Sequence, residues 1–338
     1  MKENEVTIVI PTHNHPQYID NILKSYRNQG LCCKIVILDS SQLNDTKIVY
    51  ENYKNKISDL EYIYVCDLSP DEKSLYALKI CRTKYLWICG DGLIIKRKIF
   101  NSTILNNDCD IIHLIDISAH DNKNYCTKNK IPQNMVLENA YFFAEHFFWT
   151  GTFMGSILIS NTIRGKLLKE KLLDKYINTG FMLICGVLEI LAKEKIKIQV
   201  ILTKYYTPNP SKKEAIWMQS EDIFKIWAQN MPRAVEKLPY YYNKIKNDII
   251  KYTAVRNNYL SRRGLIRWRA KGILNIKIEQ KYEKDLLKTT TLSAFEIRII
   301  SQIPIIICKF FIIPFTVRNK LKRLIFSDNF KVMRGEKC

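Results

Sequence analysis

Residues 84–95 read KYLWICGDGLII. One apolar run, Tyr85-Leu86-Trp87-Ile88-Cys89, stops at Gly90-Asp91-Gly92, and a second, Leu93-Ile94-Ile95, follows. A short uninterrupted apolar run is the pattern of a strand buried on both faces of a parallel sheet. Asp91 then stands at the end of that strand, between two residues that let backbone approach closely. Two readings are open. Asp-Gly between apolar runs is a hairpin signal with no chemistry. A carboxylate in this position also suits an anionic ligand held through a divalent cation.

Working outward toward the N-terminus, Val6–Ile10 (VTIVI) predicts a buried strand ended by Pro11. Thr12-His13-Asn14-His15 forms the loop, and Pro16 opens a helix with Ile19, Ile22, Leu23 and Tyr26 at helical spacing and Gly30 as its stop. Lys34–Leu38 (KIVIL) predicts the next strand, ending at Asp39-Ser40-Ser41. Strand, helix and strand at this spacing make a βαβ unit with a right-handed crossover. A helix over Asp45–Lys56, a strand over Glu61–Val65 and a helix over Ser69–Cys81 lead into Tyr85–Cys89. Ligands bind at the carboxyl ends of parallel strands. If these strands are parallel, Asn14, Asp39 and Asp91 share one such edge, which weighs against an isolated hairpin.

Toward the C-terminus, Asp110–Ile117 predicts a strand, Ser118–Asn134 a long loop that is mobile or a lid, and Asn134–Trp149 a helix. Gly151–Ser160 reads as a glycine-punctuated strand, Ile163–Tyr176 and Gly180–Ala192 as helices, and Ile196–Tyr206 as a strand. Pro208 and Pro210 mark a boundary. Helical spacing dominates afterwards, as in Ile216, Ile223, Phe224 and Trp227. The expected division is residues 1–210 as an α/β domain and 211–338 as a helical extension.

The 338 residues are 47% hydrophobic, enough for a large core. Lys+Arg of 53 against Asp+Glu of 33 leaves a formal charge of +20, which favours an anionic partner: nucleic acid, an anionic membrane surface or a phosphorylated substrate. Ten scattered cysteines form no C-x-x-C and sit beside no His pair at zinc spacing, so a structural zinc and a disulfide framework are not expected. The polar N-terminus does not resemble a signal peptide, and the cysteine usage points to a reducing, cytoplasmic compartment. Arg256–Gly272 is densely basic with interleaved Tyr and Trp. Ile299–Val317 is very apolar but holds Pro304, Lys309 and Pro314, and Arg318, Lys320, Lys322 and Arg323 follow. That pattern fits lying in a membrane interface better than crossing it.

VTIVIPTHN, the helix ending Arg27-Asn28-Gln29-Gly30, KIVILDSS and TKYLWICGDGLI together resemble the start of a family 2 glycosyltransferase. Members are inverting GT-A enzymes of the kind that build bacterial surface and capsular polysaccharides. The resemblance covers residues 5–100 well and 150–206 loosely. It implies a GT-A fold, a mostly parallel sheet with flanking helices. It implies that Pro11, Thr12 and Asn14 lie along a nucleotide, that Asp39 reads its base or ribose, and that Asp91 holds Mg²⁺ or Mn²⁺. The implied reaction moves a sugar, with inversion, from a nucleotide-sugar donor of the UDP-sugar kind to a glycan or lipid-linked glycan acceptor. The implied location is cytoplasmic, peripheral on the inner membrane, with the C-terminal region on an anionic membrane surface.

The chain departs from the family pattern. Members usually carry two or three acids where this chain has Gly90-Asp91-Gly92, and Asp-Asp-Gly-Ser where it has Asp39-Ser40-Ser41. The general base that an inverting transfer needs falls to Asp174, at a helix end, or to Glu189, on what reads as an outer face; Glu145 and His146 are a further possibility, though His146 reads as packed. For Asp174 and Glu189 the plainer reading is solvated surface, as for most helix-end acids. Asn14 reads equally as a helix-start residue and Asp39-Ser40-Ser41 as plain turn chemistry. Rival functions are a nucleotidyltransferase of sugar activation, disfavoured by the missing glycine-rich phosphate loop, and a non-catalytic basic membrane or nucleic-acid adaptor, with nucleic acid the weaker partner.

Overall fold

The computed structural model describes residues 1–100, 105, 108–212, 214 and 216–311. The chain builds an eight-stranded, mostly parallel sheet between helical layers. Its first half is β1 (Val6–Thr12), α1 (Pro16–Gln29), β2 (Lys34–Asp39), α2 (Asp45–Tyr53), β3 (Leu60–Tyr64), α3 (Pro70–Ile80) and β4 (Tyr85–Ile88). These four strands are mutually parallel in the order β3-β2-β1-β4. Gly30 ends α1 at φ 60°, a left-handed cap that glycine adopts without strain. Ser69 caps α3 by accepting from Glu72 N–H, with Glu72 returning to the Ser69 N–H.

Pro11 does not end β1. Val9 C=O accepts from Cys89 N–H at 2.9 Å, so Val9 and, two residues on, Pro11 turn their backbone polar groups toward β4. The N–H that proline lacks therefore falls where the β1–β4 register, closing at Val9 and Ile88, has already ended. On its other side β1 stays paired to β2 through Pro11–Leu38 and Thr12–Asp39.

The second half comprises β5 (Leu93–Ile95), β6 (Ile111–Asp116), α4 (His120–Lys128), β7 (Asn134–Leu137), α5 (Ala140–Gly151), β8 (Ile157–Ser160), α6 (Asn161–Lys169), α7 (Met182–Leu191), β9 (Ile198–Thr203) and β10 (Tyr206–Pro208). β8 inserts antiparallel between β4 and β6, β6 and β9 are parallel, and β7 closes the edge antiparallel to β9. β5 leaves the main sheet and pairs antiparallel with β10. The two apolar runs around Asp91 thus belong to different sheets, which excludes the hairpin reading.

Further expectations from the sequence are corrected here. The loop expected over residues 118–134 contains α4, where Cys126 is buried, Asn122 Nδ2 donates to Asp116 O at 2.8 Å and the Tyr125 ring meets Trp149 edge-on. The helix expected from Asn134 begins only at Ala140, after Asn139 caps it through Phe142 N–H, because residues 134–137 pair with β9. The strand expected over 151–160 is four residues long. The strand expected over Ile196–Tyr206 splits, since Tyr206–Pro208 pairs with β5 instead. Pro208 lies within a strand rather than at a break.

Beyond β10, α8 (Asp222–Phe224) runs through a π-helical segment, Lys225–Asn230, into α9 (Met231–Glu236). Then come α10 (Asn243–Arg256), α11 (Arg262–Ala270), α12 (Ile276–Thr289) and α13 (Ala294–Gln302), and residues 305–311 are helical. The part of the apolar stretch beyond residue 311, with its trailing basic residues, lies outside the described residues. Side chains alternate across the sheet as strand geometry requires. Ile8, Ile10 and Trp87 pack on the α1 side, while Val9, Leu86 and Ile88 face α3, α5 and α7. The core on that second face continues into Phe224, Trp227, Leu265, Trp268 and Leu286 of the C-terminal helices. Among the described residues no helix is long and apolar enough to cross a membrane.

Candidate active site

Strand order reverses at β1: the chain runs β1-β2-β3 to one side and then places β4 on the other. The crevice beyond the carboxyl ends of β1 and β4 is thus a topological switch point, where open α/β sheets bind ligands. Thr12 ends β1, and Asp91 follows β4. Thr12 Oγ1 donates to Asp91 Oδ2 at 2.8 Å, bridging that crevice.

Asp91 Oδ2 has a second partner from the first loop, His15 Nδ1 at 2.8 Å. The His15 ring stacks on Tyr18 with centroids 4.4 Å apart. Its hydrogen bond to Asp91 raises the imidazole pKa above its ordinary value, against partial burial. The Asp91 backbone carbonyl accepts from Asn209 Nδ2 at 3.1 Å, and the same amide donates to Tyr18 O at 2.9 Å. Asn209 lies just past β10 and is 2% exposed, so the β5–β10 pair clamps the Asp91 turn from above.

The other predicted residues gather around the same edge. Asp39 ends β2 fully buried: Oδ1 accepts from Ser41 N–H at 2.9 Å, and Oδ2 from the Tyr62 hydroxyl at 2.9 Å. Burial, followed by the bond to Asp39, pushes the Tyr62 phenol well up. Asn14 adopts φ 56°, donates its N–H to Ser41 Oγ at 2.7 Å and accepts Gln42 N–H on Oδ1 at 3.2 Å. His13 Nδ1 lies 2.9 Å from Ser40 O. The first and second loops are therefore stitched into one rigid rim.

Lys73, from the first turn of α3, reaches under this rim. It is 5% exposed, and its ammonium donates to Thr12 O at 2.7 Å. Burial lowers its pKa, while the charges of Asp39 and Asp91 act in the opposite direction. Lys212 approaches from the opposite side. A Cβ built on Gly92 would lie 2.9 Å from Lys212 Cδ and Cε and 3.1 Å from Nζ. The lysine stem thus covers the space that a side chain at position 92 would occupy.

Next to this rim, a small cleft open to solvent is lined by Asp71, Ser74, Ile88, Phe153, Met154 and Phe181. Asp71 is 7% exposed, and its Oδ2 accepts the Gly180 N–H at 2.8 Å just before α7. Burial raises its carboxyl pKa, with backbone N–H groups of residues 178–182 opposing that.

The structure brings Pro11, Thr12, Asn14, Asp39 and Asp91 together. Asp174 and Glu189 are not brought to them by any hydrogen bond or ion pair. Asp174 is exposed in the 3-10 turn Asp174–Tyr176. Glu189 is not on an outer face as the helical pattern suggested: it is 4% exposed, 2.6 Å from Lys175 Nζ and 2.5 Å from the Tyr176 hydroxyl. His146 packs in an aromatic cluster, 4.3 Å between centroids from Phe142. His15, Lys73, Asn209, Lys212 and Asp71 escaped the sequence reading. For His15 a signal existed, since it lies in the same loop as Asn14.

A divalent cation at Asp91 can be tested against the donors present. Among the described residues no group of three His, Cys, Asp or Glu side chains converges on one point. Asp91 Oδ2 already accepts from Thr12 and meets His15, and the Lys73 ammonium lies close enough to feel its charge. One carboxylate can hold a magnesium ion together with waters and donor phosphates, so the misfit lies elsewhere: Oδ2 is committed to Thr12 and His15, and a lysine ammonium competes for the same charge.

No protein family matches the chain in a comparison of sequences, and no curated protein does. Solved structures do. Residues 1–349 of S. aureus TarS share 12% identity over 89% of this chain and 90% of that one, with a TM-score of 0.50. TarS 1–349 in complex with UDP-GlcNAc covers 85% of this chain and 82% of its own at 15% identity, TM-score 0.49. The mannosyltransferase PcManGT from Pyrobaculum calidifontis, in complex with GDP-Man and Mn²⁺, covers 75% and 71% at 13% identity, TM-score 0.49. At these identities the likeness is one of fold, and the fold is the GT-A class.

Proposed function

We propose that this chain is a glycosyltransferase that takes a sugar from a nucleotide-sugar donor. The observation that carries the reading is the polar rim of Thr12, Asn14, Asp39, Lys73 and Asp91 at the switch point between β1 and β4 of a GT-A sheet. A nucleoside fits against the stitched loops after β1 and β2. The diphosphate then lies toward Asp91, and the sugar enters the neighbouring cleft. In the reaction an acceptor hydroxyl oxygen bonds to the anomeric carbon while the bond from that carbon to the diphosphate oxygen breaks, which inverts the centre. The electron pair leaves with the diphosphate, and the hydroxyl proton goes to a carboxylate.

Asp71 is the carboxylate that lines the cleft, and its raised pKa suits a general base. We therefore assign it this role in preference to Asp174 or Glu189. Asp71→Asn lowers turnover about 100-fold or more with little change in donor KM. Loss of turnover in Asp174→Asn with Asp71→Asn fully active reverses the assignment.

The acceptor in this reading is a glycan on a lipid carrier at the cytoplasmic face of the membrane. Phe295, Ile299, Ile306, Phe310 and Phe311 are exposed along the last described helices of a chain carrying +20. Phe310→Glu/Phe311→Glu should weaken flotation with anionic vesicles, and undiminished flotation removes this placement.

A screen of UDP-, GDP- and CDP-sugars by thermal shift tests the donor class. A donor at about 100 times its Kd adds ~2.7 kcal/mol to the native state. No shift with any of them, at millimolar concentration with and without divalent ions, refutes the reading.

A further inference from the structure

We infer that Lys73 and Lys212 hold the donor diphosphate by direct charge pairing, in place of a divalent ion on an acidic pair. The inference deepens the donor reading above and rests on it.

The starting point is what covers Gly92. The Lys212 stem lies so close that any side chain at position 92 would have to displace it, with Cδ and Cε both 2.9 Å from an added Cβ. Its backbone is fixed. Lys212 N–H donates to Asn209 O at 2.9 Å, and Asn209 is itself anchored to Tyr18 O and Asp91 O. Asn209 Oδ1 also accepts from Asn21 Nδ2 at 3.0 Å and from Ser211 N–H at 3.2 Å. An ammonium group is thus delivered to the point where a second acid would be needed to share an ion with Asp91.

Lys73 delivers the other charge. It is fixed from below by its bond to Thr12 O, and Thr12 in turn holds Asp91. Neither lysine forms a salt bridge within 4 Å among the described residues. Lys73 and Lys212 stand against Asp39 and Asp91, so the rim carries no surplus of negative charge with which to hold a divalent ion. A diphosphate supplies the two ammonium groups with the anionic partners that no carboxylate among the described residues gives them within salt-bridge distance. A divalent cation would instead add to two like charges, against one carboxylate already bonded to Thr12 and His15. In this arrangement Asp91 is a positioning residue. It orients Thr12 and His15 and keeps the lysines from repelling each other, and the lysine N–H groups meet the leaving oxygens.

The experiment uses the full chain and UDP as probe, by titration calorimetry in excess EDTA and in millimolar MnCl₂. UDP is expected to bind in EDTA with an affinity within about threefold of that in Mn²⁺, with inorganic pyrophosphate competing. Lys212→Ala, an exposed position with little risk to folding, should weaken UDP about tenfold in EDTA and leave uridine binding unchanged, with Lys212→Arg restoring most of it. Gly92→Asp/Lys212→Ala opens the space for a second acid and should make UDP binding depend on Mn²⁺. If UDP binds in Mn²⁺ but not in EDTA, or if Lys212→Ala binds UDP as the parent does, the inference is overturned while the donor reading stands. If UDP, GDP and CDP bind in neither buffer, both fall.

Discussion

Asp91 holds the first loop to the end of β4, with Thr12 and His15 both on its Oδ2. Its place after a buried strand, and its neighbours Thr12 and Asn14, were legible because each lies at the end of a contiguous apolar run. The rest of its surroundings were not. Lys73 reads as one of many helix-face lysines, and Asn209 and Lys212 lie more than a hundred residues away in sequence. Only folding brings them to the Gly92 backbone. Thr12→Val keeps the shape at this point and removes the bond across the switch point; we expect kcat to fall about tenfold with the fold intact, read by steady-state kinetics and circular dichroism. A second buried side chain sets an acid limit on stability. His113, in β6, is fully buried with Nε2 bonded to Thr150 Oγ1 at 2.8 Å, and burial pulls its pKa from 6.5 down to about 3. The unfolded chain takes up that proton first. Stability is therefore unaffected above pH 6.5 and declines as pH falls from there toward 3, by about 2–3 kcal/mol at pH 4.5. His113→Gln should flatten this slope in urea titrations between pH 7 and 4.5.

At the scale of elements, the parallel half was legible and the antiparallel half was not, for a physical reason. β1, β2 and β4 are buried on both faces and announce themselves as apolar runs. β7 alternates exposure over only four residues, and α4 buries little beyond Cys126, so neither carries the periodicity that a sequence argument needs. The C-terminal helices depend on a similarly unannounced contact. Glu279 of α12 is 0% exposed and lies 2.7 Å from Arg298 Nε of α13. Arg298→Ala strands a buried carboxylate and should cost about 3 kcal/mol, whereas Glu279→Leu/Arg298→Met should be close to neutral. Urea unfolding of the two variants distinguishes them. A cap is worth less: Asn139→Ala at the start of α5 should cost about 1 kcal/mol.

Over the whole molecule, the charge of +20 is the property most easily read from sequence and the least specific. Its local form matters more than its sum, because Lys73 under Thr12 and Lys212 over Gly92 are placed by β1, α3 and the turn after β10 together. Architecture carries a consequence of another kind. β4 and β6 do not touch each other as partners; both pair with β8, residues Ile157–Ser160. During synthesis the first four strands emerge with the β4 side of their sheet open, and that edge stays open until the β8 segment leaves the ribosome. Domains begin folding from the N-terminus while translation continues, and an unpaired apolar strand edge is a template for association. Yield in a cell should therefore be set by how long this half-built sheet remains exposed: slow codons read after β4 has emerged but before β8 has cleared the exit tunnel would promote aggregation, and the same codons near the end of the message would not.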